Sequence, residues 1–505
     1  MGERVKNTKR NIVSGLINRI ISILLPFLIR TAILYILGAQ YMGLNSLFTS
    51  VLQVLNLAEL GFSSAIVFSM YKPIADNDTE MICALMNYYK KVYSCIGTGI
   101  LVVGLAIVPV ITKLINGSWP SDINIYLLYL IYLFNTVLSY FLYAYKSALL
   151  NAVQRIDIVS KVQLITLSGQ YILQLLALIL FKNYYCYILI TPISTIACNL
   201  ITAKYADRLF PEYQCKGKLD DKSKKSIYKQ ISGLMLSKLS DTSRNSFDSI
   251  VLSTMFGLTT VAIYNNYYYI YNALYGIMLT ITQAMQASVG NSIAAENVDK
   301  NYVDLRKFSF LFAGITSVCV VCMLCIYQPF MKLWAGNDML LSNANMILFC
   351  LYFYLINMNN SRNLYFSGNG LWWKAKTTFI AEAVGNLVLN ITLGIVFGIT
   401  GVLLATIFTI FVFNFVVRTN ILFREYFKIS PKKFYMEHFG YAIETLISAG
   451  VCYYICSNLT IQGIVGMILR GIICVIIASA IILICNIKNP FLKESLVIVK
   501  KMINK

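Results

Sequence analysis

Residues 232–257 read SGLMLSKLSDTSRNSFDSIVLSTMFG, and whether this stretch crosses a membrane decides the fold of everything after it. Apolar residues dominate both ends, yet Lys238, Asp241, Arg244 and Asp248 lie within it. Each such charge costs about 2.5–3.5 kcal/mol at the centre of an isolated inserted helix. Dropping the stretch would put the loop with Lys300, Arg306 and Lys307 outside and invert the charge bias of every later loop. It is therefore read as a span that faces protein or water, and a span kept against its hydropathy marks a functional region.

The rest of the chain identifies the solvent. Of its 505 residues, 58% are hydrophobic and 13% charged, and the mean hydropathy is +0.67. That is too little polar surface to coat a water-soluble globule. Apolar runs of about 20 residues recur from residue 11 to residue 486, each long enough for a hydrocarbon core of about 30 Å. The short alternating segments of a barrel are not the pattern. The expectation is an all-α polytopic membrane protein with about 14 transmembrane helices, at roughly 11–37, 43–69, 88–115, 123–148, 160–181, 184–205, 231–256, 260–289, 308–330, 343–366, 375–397, 400–422, 439–457 and 462–486. The opening MGERVKNTKRN carries no small-residue cleavage site, so the first span is read as retained.

The net charge of +20 is explained by loops rather than by a nucleic-acid partner. Basic residues fill alternate loops, including Arg4 to Arg10, Lys90 and Lys91, Arg208 to Lys229 and Lys488 to Lys505, while the opposite turns hold little beyond Lys113, Lys182 and Lys332. By the positive-inside rule both termini are cytoplasmic. Most of the thirteen cysteines, Cys319, Cys322 and Cys325 among them, lie in apolar spans without a nearby histidine. They read as small hydrophobes, and no metal or cofactor is expected, because zinc wants a fourth ligand that a dry helix does not offer.

The longest inward connection, ADRLFPEYQCKGKLDDKSKKSIYKQ at 206–230, suggests a linker between lobes. Ser14-Gly15-Leu16 recurs as Ser232-Gly233-Leu234, an offset of 218, and Gly38 with Gly43-Leu44-Asn45 recurs as Gly257 with Ala262-Ile263-Tyr264, an offset of 219. A shared offset with an even number of spans between suggests a parallel repeat. The expected organisation is an N-terminal lobe at 1–205, the basic linker at 206–230, a C-terminal lobe at 231–422, and an appended helix pair with a cytoplasmic tail at 423–505.

Several ordered blocks resemble one family. They are Leu37-Gly38 through Tyr41-Met42-Gly43-Leu44 with Ala58-Glu59-Leu60-Gly61, Tyr145-Lys146 with Leu149 and Gln154, Asp248 with Gly257 and Ile263-Tyr264-Asn265-Asn266-Tyr267, Ala287-Ser288-Val289-Gly290-Asn291, and later Gly370-Leu371, Asn386 and Gly398-Ile399-Thr400-Gly401-Val402 with Thr406. Together they resemble the polysaccharide branch of the multidrug/oligosaccharidyl-lipid/polysaccharide (MOP) exporters, the O-antigen and capsule repeat-unit flippases of Wzx type. That resemblance implies two pseudo-symmetric six-helix lobes around a central cationic cavity, in the bacterial inner membrane. It implies a cargo of undecaprenyl-diphosphate-linked oligosaccharide, with membrane lipids, polysaccharide polymerase and chain-length proteins as further partners. The alternatives are a multidrug or small-solute exporter of the same fold and a membrane-bound polysaccharide-modifying enzyme. The enzyme is disfavoured because the outward turns are short and no span holds a histidine at its middle.

Candidate site residues are drawn from polar groups within spans, and none is catalytic. Lys238, Asp241, Asn245 and Asp248 stand at i, i+3, i+7 and i+10 and share a helix face, with Arg244 about one position aside. Arg19 and Arg30 share a face of the first span, and the repeat offset carries Arg19 onto Lys238. Arg19, Arg30, Lys238 and Arg244 are candidates for a diphosphate, against internal ion pairing or snorkelling. Asp241, Asp248 and Glu59 are candidates for a coupling ion. Glu59 qualifies because an unpaired carboxylate in hydrocarbon favours its neutral form, although a structural pair with an arginine is the competing reading. Tyr264, Asn265, Tyr268, Tyr271 and Asn272 suit sugar rings and hydroxyls, as they also suit an interfacial aromatic belt. Glu382, Asn386 and Asn390 form a strip facing either a lobe interior or a neighbouring helix. Arg470 lacks an evident partner, and His438 is expected to be solvated at a span start.

Overall fold

The computed structural model describes residues 21–59, 61–492 and 494, and among them the regular structure is helical, with no strand. In chain order the helices are α1 (Ile21–Ile36), α2 (Ala39–Leu55), α3 (Phe62–Ala75), α4 (Thr79–Ile107), α5 (Ile125–Phe141), α6 (Ala144–Ala152), α7 (Ile156–Phe181), α8 (Tyr184–Leu209) and α9 (Asp221–Ala295). Next come α10 (Val298–Ala335), α11 (Asn343–Met358), α12 (Asn360–Gly368), α13 (Lys376–Phe397), α14 (Ile399–Thr409), α15 (Arg418–Leu422), α16 (Lys432–Ser457) and α17 (Gly463–Cys485).

Nine described helices are long and apolar enough to cross a membrane, or ten if α5 and α6, bent by 49°, count as one span. The expected spans outside that set have local reasons. Only the later part of the first, Ile21–Ile36, is described. The second is broken: α2 runs into a tight turn at Asn56–Glu59, and Gly61, at φ 90°, turns the chain into α3. The charged seventh span and the eighth run together as α9, and the helix that would be the tenth is interrupted at Asn359 between α11 and α12.

Two turning points show how sequence makes these bends. Gly38 (φ 112°, ψ 171°) precedes α2, and Gly257 (φ 82°, ψ 178°) interrupts α9. The repeat offset pairs these glycines, and both occupy a conformation that an L side chain rarely adopts. At Gly257 the loop after α4 closes on the bend. The Asn116 backbone amide donates to the Ser253 carbonyl at 3.0 Å, its side-chain amide donates to the Met255 carbonyl at 2.6 Å, and the Ser253 hydroxyl donates to the Leu114 carbonyl at 2.6 Å. Backbone groups freed by the bend are thereby satisfied.

The chain forms two compact units, Met1–Ala262 and Ile263–Lys505. In the first, α5, α7 and α8 pack together, and Gly43 of α2 lies so close to the backbone of Leu258 that no side chain fits between. In the second, α10 packs against α11, α16 and α17, and α13 forms a hairpin with α14. Gly401 makes that hairpin possible, because a Cβ there would run into the Leu393 carbonyl. Beyond α14 the chain continues through π-helical turns at Ile410–Val417 and Phe423–Phe427, with α15 between them.

Candidate functional site

A cavity of about 280 Å³ lies within the first unit, among α2, α5, α7 and α8. Its α2 wall is a single stripe, Asn45, Thr49, Gln53 and Asn56, at i, i+4, i+8 and i+11. Facing it are Tyr132 and Asn135 of α5, Gln170 and Gln174 of α7, and Tyr187 and Thr191 of α8. These groups are held by one another. The Tyr132 hydroxyl donates to Asn45 Oδ1 at 2.6 Å and sits 2.9 Å from the Tyr184 hydroxyl, while Gln174 Nε2 donates to Thr191 Oγ1 at 3.0 Å. Thr195 donates to Asn135 Oδ1 at 2.8 Å. Half-buried Arg30 interacts electrostatically with Tyr187, which places the candidate cation of the first span beside this wall.

At the broken end of α2 the cavity adjoins a carboxylate. Glu59, half-buried, accepts a hydrogen bond from the Tyr93 hydroxyl through Oε1. The Tyr140 hydroxyl is 3.1 Å from Glu59 Oε2 and 3.0 Å from Asn56 Oδ1. A phenol has one proton, so Tyr140 serves one of these acceptors fully at a time. Asn56 is also a cavity residue, so Tyr140 links the Glu59 carboxyl to the cavity wall. The hydrogen-bond partners of Glu59 among the described residues are phenols, which departs from the arginine pair weighed from sequence.

The charged stretch of α9 approaches the same wall. Arg244 and Asp248 are buried, at 5% and 2% exposure, whereas Lys238 is exposed. The helix is continuous from 238 to 248. Ser246, Ser249 and Ser253 line a buried face of that helix, and Ser246 donates to Gln53 Oε1 at 3.1 Å. Arg19 lies outside the described residues, as do the side chains of Asp241 and Asn245.

The tyrosine series occupies the second unit. Rings of Tyr264, Tyr268, Tyr271 and Tyr275 stack in succession, with centroids 6.2, 5.3 and 6.0 Å apart. Tyr264 and Tyr271 are buried against Phe349 and Tyr352 of α11. Tyr268 and Asn265 are half-buried, and Asn272 is exposed.

In this unit the polar strip of Glu382, Asn386 and Asn390 meets arginines that sequence reasoning missed. Glu382 pairs with Arg418, whose guanidinium lies 4.0 Å from the centre of the Phe379 ring. Fully buried Arg362 donates to the Asn414 carbonyl, and its Nη2 reaches Asn414 Oδ1 at 2.5 Å. Asn414 lies in the π-helical turn 410–417, where the widened ladder leaves a carbonyl for such a bond. Asn386 donates to Thr406 at 3.2 Å, so the Glu382/Asn386/Asn390 strip faces the neighbouring α14. Charged residues near the ends of apolar runs were the available signal for Arg362 and Arg418. His438 corrects an expectation: it is buried, with its ring 4.0 Å from that of Phe434 and Nδ1 hydrogen-bonded to the Phe434 carbonyl at 2.9 Å. Phe415 and Tyr441 also flank it, which excludes the solvent expected at a span start.

Broken spans, buried charge and an amide-lined cavity mark a polytopic helical membrane scaffold, and solved structures share its fold. The fold is similar to an inward-facing multidrug resistance MATE family transporter of the MOP superfamily, with TM-score 0.61 and 15% identity over 79% of this chain and 95% of that one. It is also similar to the lipid II flippase MurJ in its inward closed conformation, with TM-score 0.62 and 18% identity over 94% and 99% of the two chains. Residues 8–286 match the family described as polysaccharide biosynthesis protein, which is more than half of the chain, and the protein belongs to that family. Comparison with curated proteins gave no match.

Proposed function

We propose that the protein is a flippase that moves undecaprenyl-diphosphate-linked oligosaccharide repeat units from the cytoplasmic to the outer leaflet of the bacterial inner membrane, by ion-coupled alternating access. The observation that carries this reading is the cavity of the first unit, whose amides and phenols offer the donors, acceptors and aromatic faces that a sugar requires, in a chain belonging to a polysaccharide biosynthesis family. Both termini and the 206–230 linker are cytoplasmic in this scheme, with lobes at 1–205 and 231–422 and an appended pair beyond 422. Polysaccharide polymerase and chain-length proteins are the expected neighbours.

A pyrophosphate diester carries about two negative charges, and removing it from water requires fixed cations in place of its hydration. Arg30, Arg244, Lys238 and Arg19 take that role. Asp241 and Asp248 balance the cations in the unloaded state, and protonating one of them raises the positive charge available to cargo. Glu59 is the proton carrier in the first unit, where Tyr140 links its carboxyl to Asn56 on the cavity wall. Within the second unit, Tyr268, Asn272, Asn265, Tyr264 and Tyr271 are the candidate sugar contacts, the last two by stacking beneath the more open members of the ladder.

The likeness to a multidrug transporter supports a second reading, export of a small organic solute. Purified protein in liposomes, loaded with lipid-linked oligosaccharide and assayed for leaflet exposure, separates the two. Translocation above empty liposomes is expected, with loss in Lys238→Ala/Arg244→Ala protein that is normally inserted. Full activity of that variant would remove the diphosphate assignment. Efflux of cationic dyes without movement of the lipid-linked cargo would favour the second reading, and a polysaccharide-modifying enzyme would instead change the cargo covalently.

A further inference from the structure

Five cysteines converge inside the second unit. Cys322 and Cys325 stand three residues apart on α10, Cys452 and Cys456 four apart on α16, and Cys474 comes from α17. The sulfurs of Cys325, Cys456 and Cys474 lie within 4.8 Å of one another, and those of Cys456 and Cys474 are 3.8 Å apart. Cys452 belongs to the same buried cluster, and Cys322 packs against it. Val321 and Ala478 share the enclosure, and the central three cysteines are buried. Apolar packing accounts for burying a thiol, but it places no demand on sulfurs from three helices to meet at one point.

We propose that this cluster binds a soft, thiophilic metal ion, Zn²⁺ or Cu⁺, which staples α16 and α17 to α10. Thiolate sulfur is the donor that favours these ions. Four sulfurs at a zinc–sulfur distance of about 2.3 Å stand about 3.8 Å apart, which is the Cys456–Cys474 separation. The objection raised by the α10 trio alone, a missing fourth ligand, is met by thiols from α16 and α17. Each ligating thiol releases its proton to water as its sulfur–metal bond forms. Four thiolates on a divalent ion leave two negative charges, and two on a monovalent one leave a single negative charge. Arg470, one turn before Cys474 on α17, supplies a compensating positive charge. Its Nη2 donates to the Leu459 carbonyl at 3.1 Å and its Nε to the Cys456 carbonyl at 3.4 Å, so it is fixed beside the cluster while also capping the end of α16.

The test uses full-length protein in detergent, reduced and stripped with chelator, titrated in one arm with Cd²⁺ standing in for Zn²⁺ and in the other with Cu⁺. A sulfur-to-metal charge-transfer band saturating at about one ion per chain is expected in at least one arm, with a rise in the thermal midpoint that chelator reverses. The arm that saturates identifies the ion. Cys456→Ala/Cys474→Ala should lose the band, and Cys186→Ser/Cys485→Ser, at exposed positions away from the cluster, should keep it. Absence of a saturable band in the wild-type protein in both arms overturns the proposal, as does an undiminished band in the C456A/C474A variant. The wild-type titration decides the matter even if that variant does not fold.

Discussion

Tyr140 lies within hydrogen-bond distance of two acceptors that compete for its one proton. If Glu59 carries the coupling proton, Glu59→Gln removes the titrating group while keeping an acceptor for Tyr93. Translocation by E59Q, measured across a pH series, should then be nearly flat where the wild type varies, and an unchanged profile would rule out Glu59 as the carrier. Tyr140→Phe should lower transport less, since Tyr93 still reaches the carboxylate. A different argument applies to Glu382 and Arg418. Breaking a buried ion pair by removing one partner costs about 3–5 kcal/mol, because a charge is left behind, whereas replacing both with apolar residues costs far less. Arg418→Met should therefore lower the thermal midpoint in detergent sharply, and Arg418→Met/Glu382→Met should recover most of the loss. Equal midpoints for R418M and wild type would mean that the pair contributes nothing to stability.

Among the elements, the bend in α9 rests on one residue's backbone. Gly257 has positive φ, and a Cβ there would stand 2.7 Å from the Asn116 carbonyl oxygen. Gly257→Ala meets both strain and collision, costing about 1–3 kcal/mol. Gly169 of α7 is helical with open space around its Cβ position, so Gly169→Ala should be neutral or mildly stabilising. Detergent-solubilised G257A should unfold at lower temperature than G169A, and the reverse order would show that the bend is not constrained as described. The glycine was legible in the sequence as half of a repeat. Its role was not, because only the packed loop supplies Asn116.

For the whole molecule, the proposed orientation makes one strong demand. Lys222→Cys, in the 206–230 connection, should react with a membrane-impermeant thiol reagent only after the cells are opened, and labelling in intact cells would invert every leaflet assignment. The native Cys215 in the same connection is a poorer reporter. Burial pushes its thiol above the usual range against the lowering influence of Lys146 and Lys90, so near neutral pH it holds less thiolate and should react more slowly than the thiol introduced by K222C.

The sequence by itself determined that the chain is helical and crosses a membrane repeatedly, since hydropathy and run length depend on composition alone. It also determined the family resemblance and the shared faces, because helical periodicity fixes which of Tyr264, Tyr268, Tyr271 and Tyr275 can stack. Tertiary structure decided what those faces meet. The Asn45, Gln53 and Asn56 stripe becomes a cavity only when polar groups of α5, α7 and α8 are brought opposite it, across more than a hundred residues of chain in places. The same holds for the phenols on Glu59, the Arg418–Glu382 pair and the cysteine cluster. Each joins residues on separate helices, and the packing that selects such partners is a property of the folded chain that no local pattern encodes.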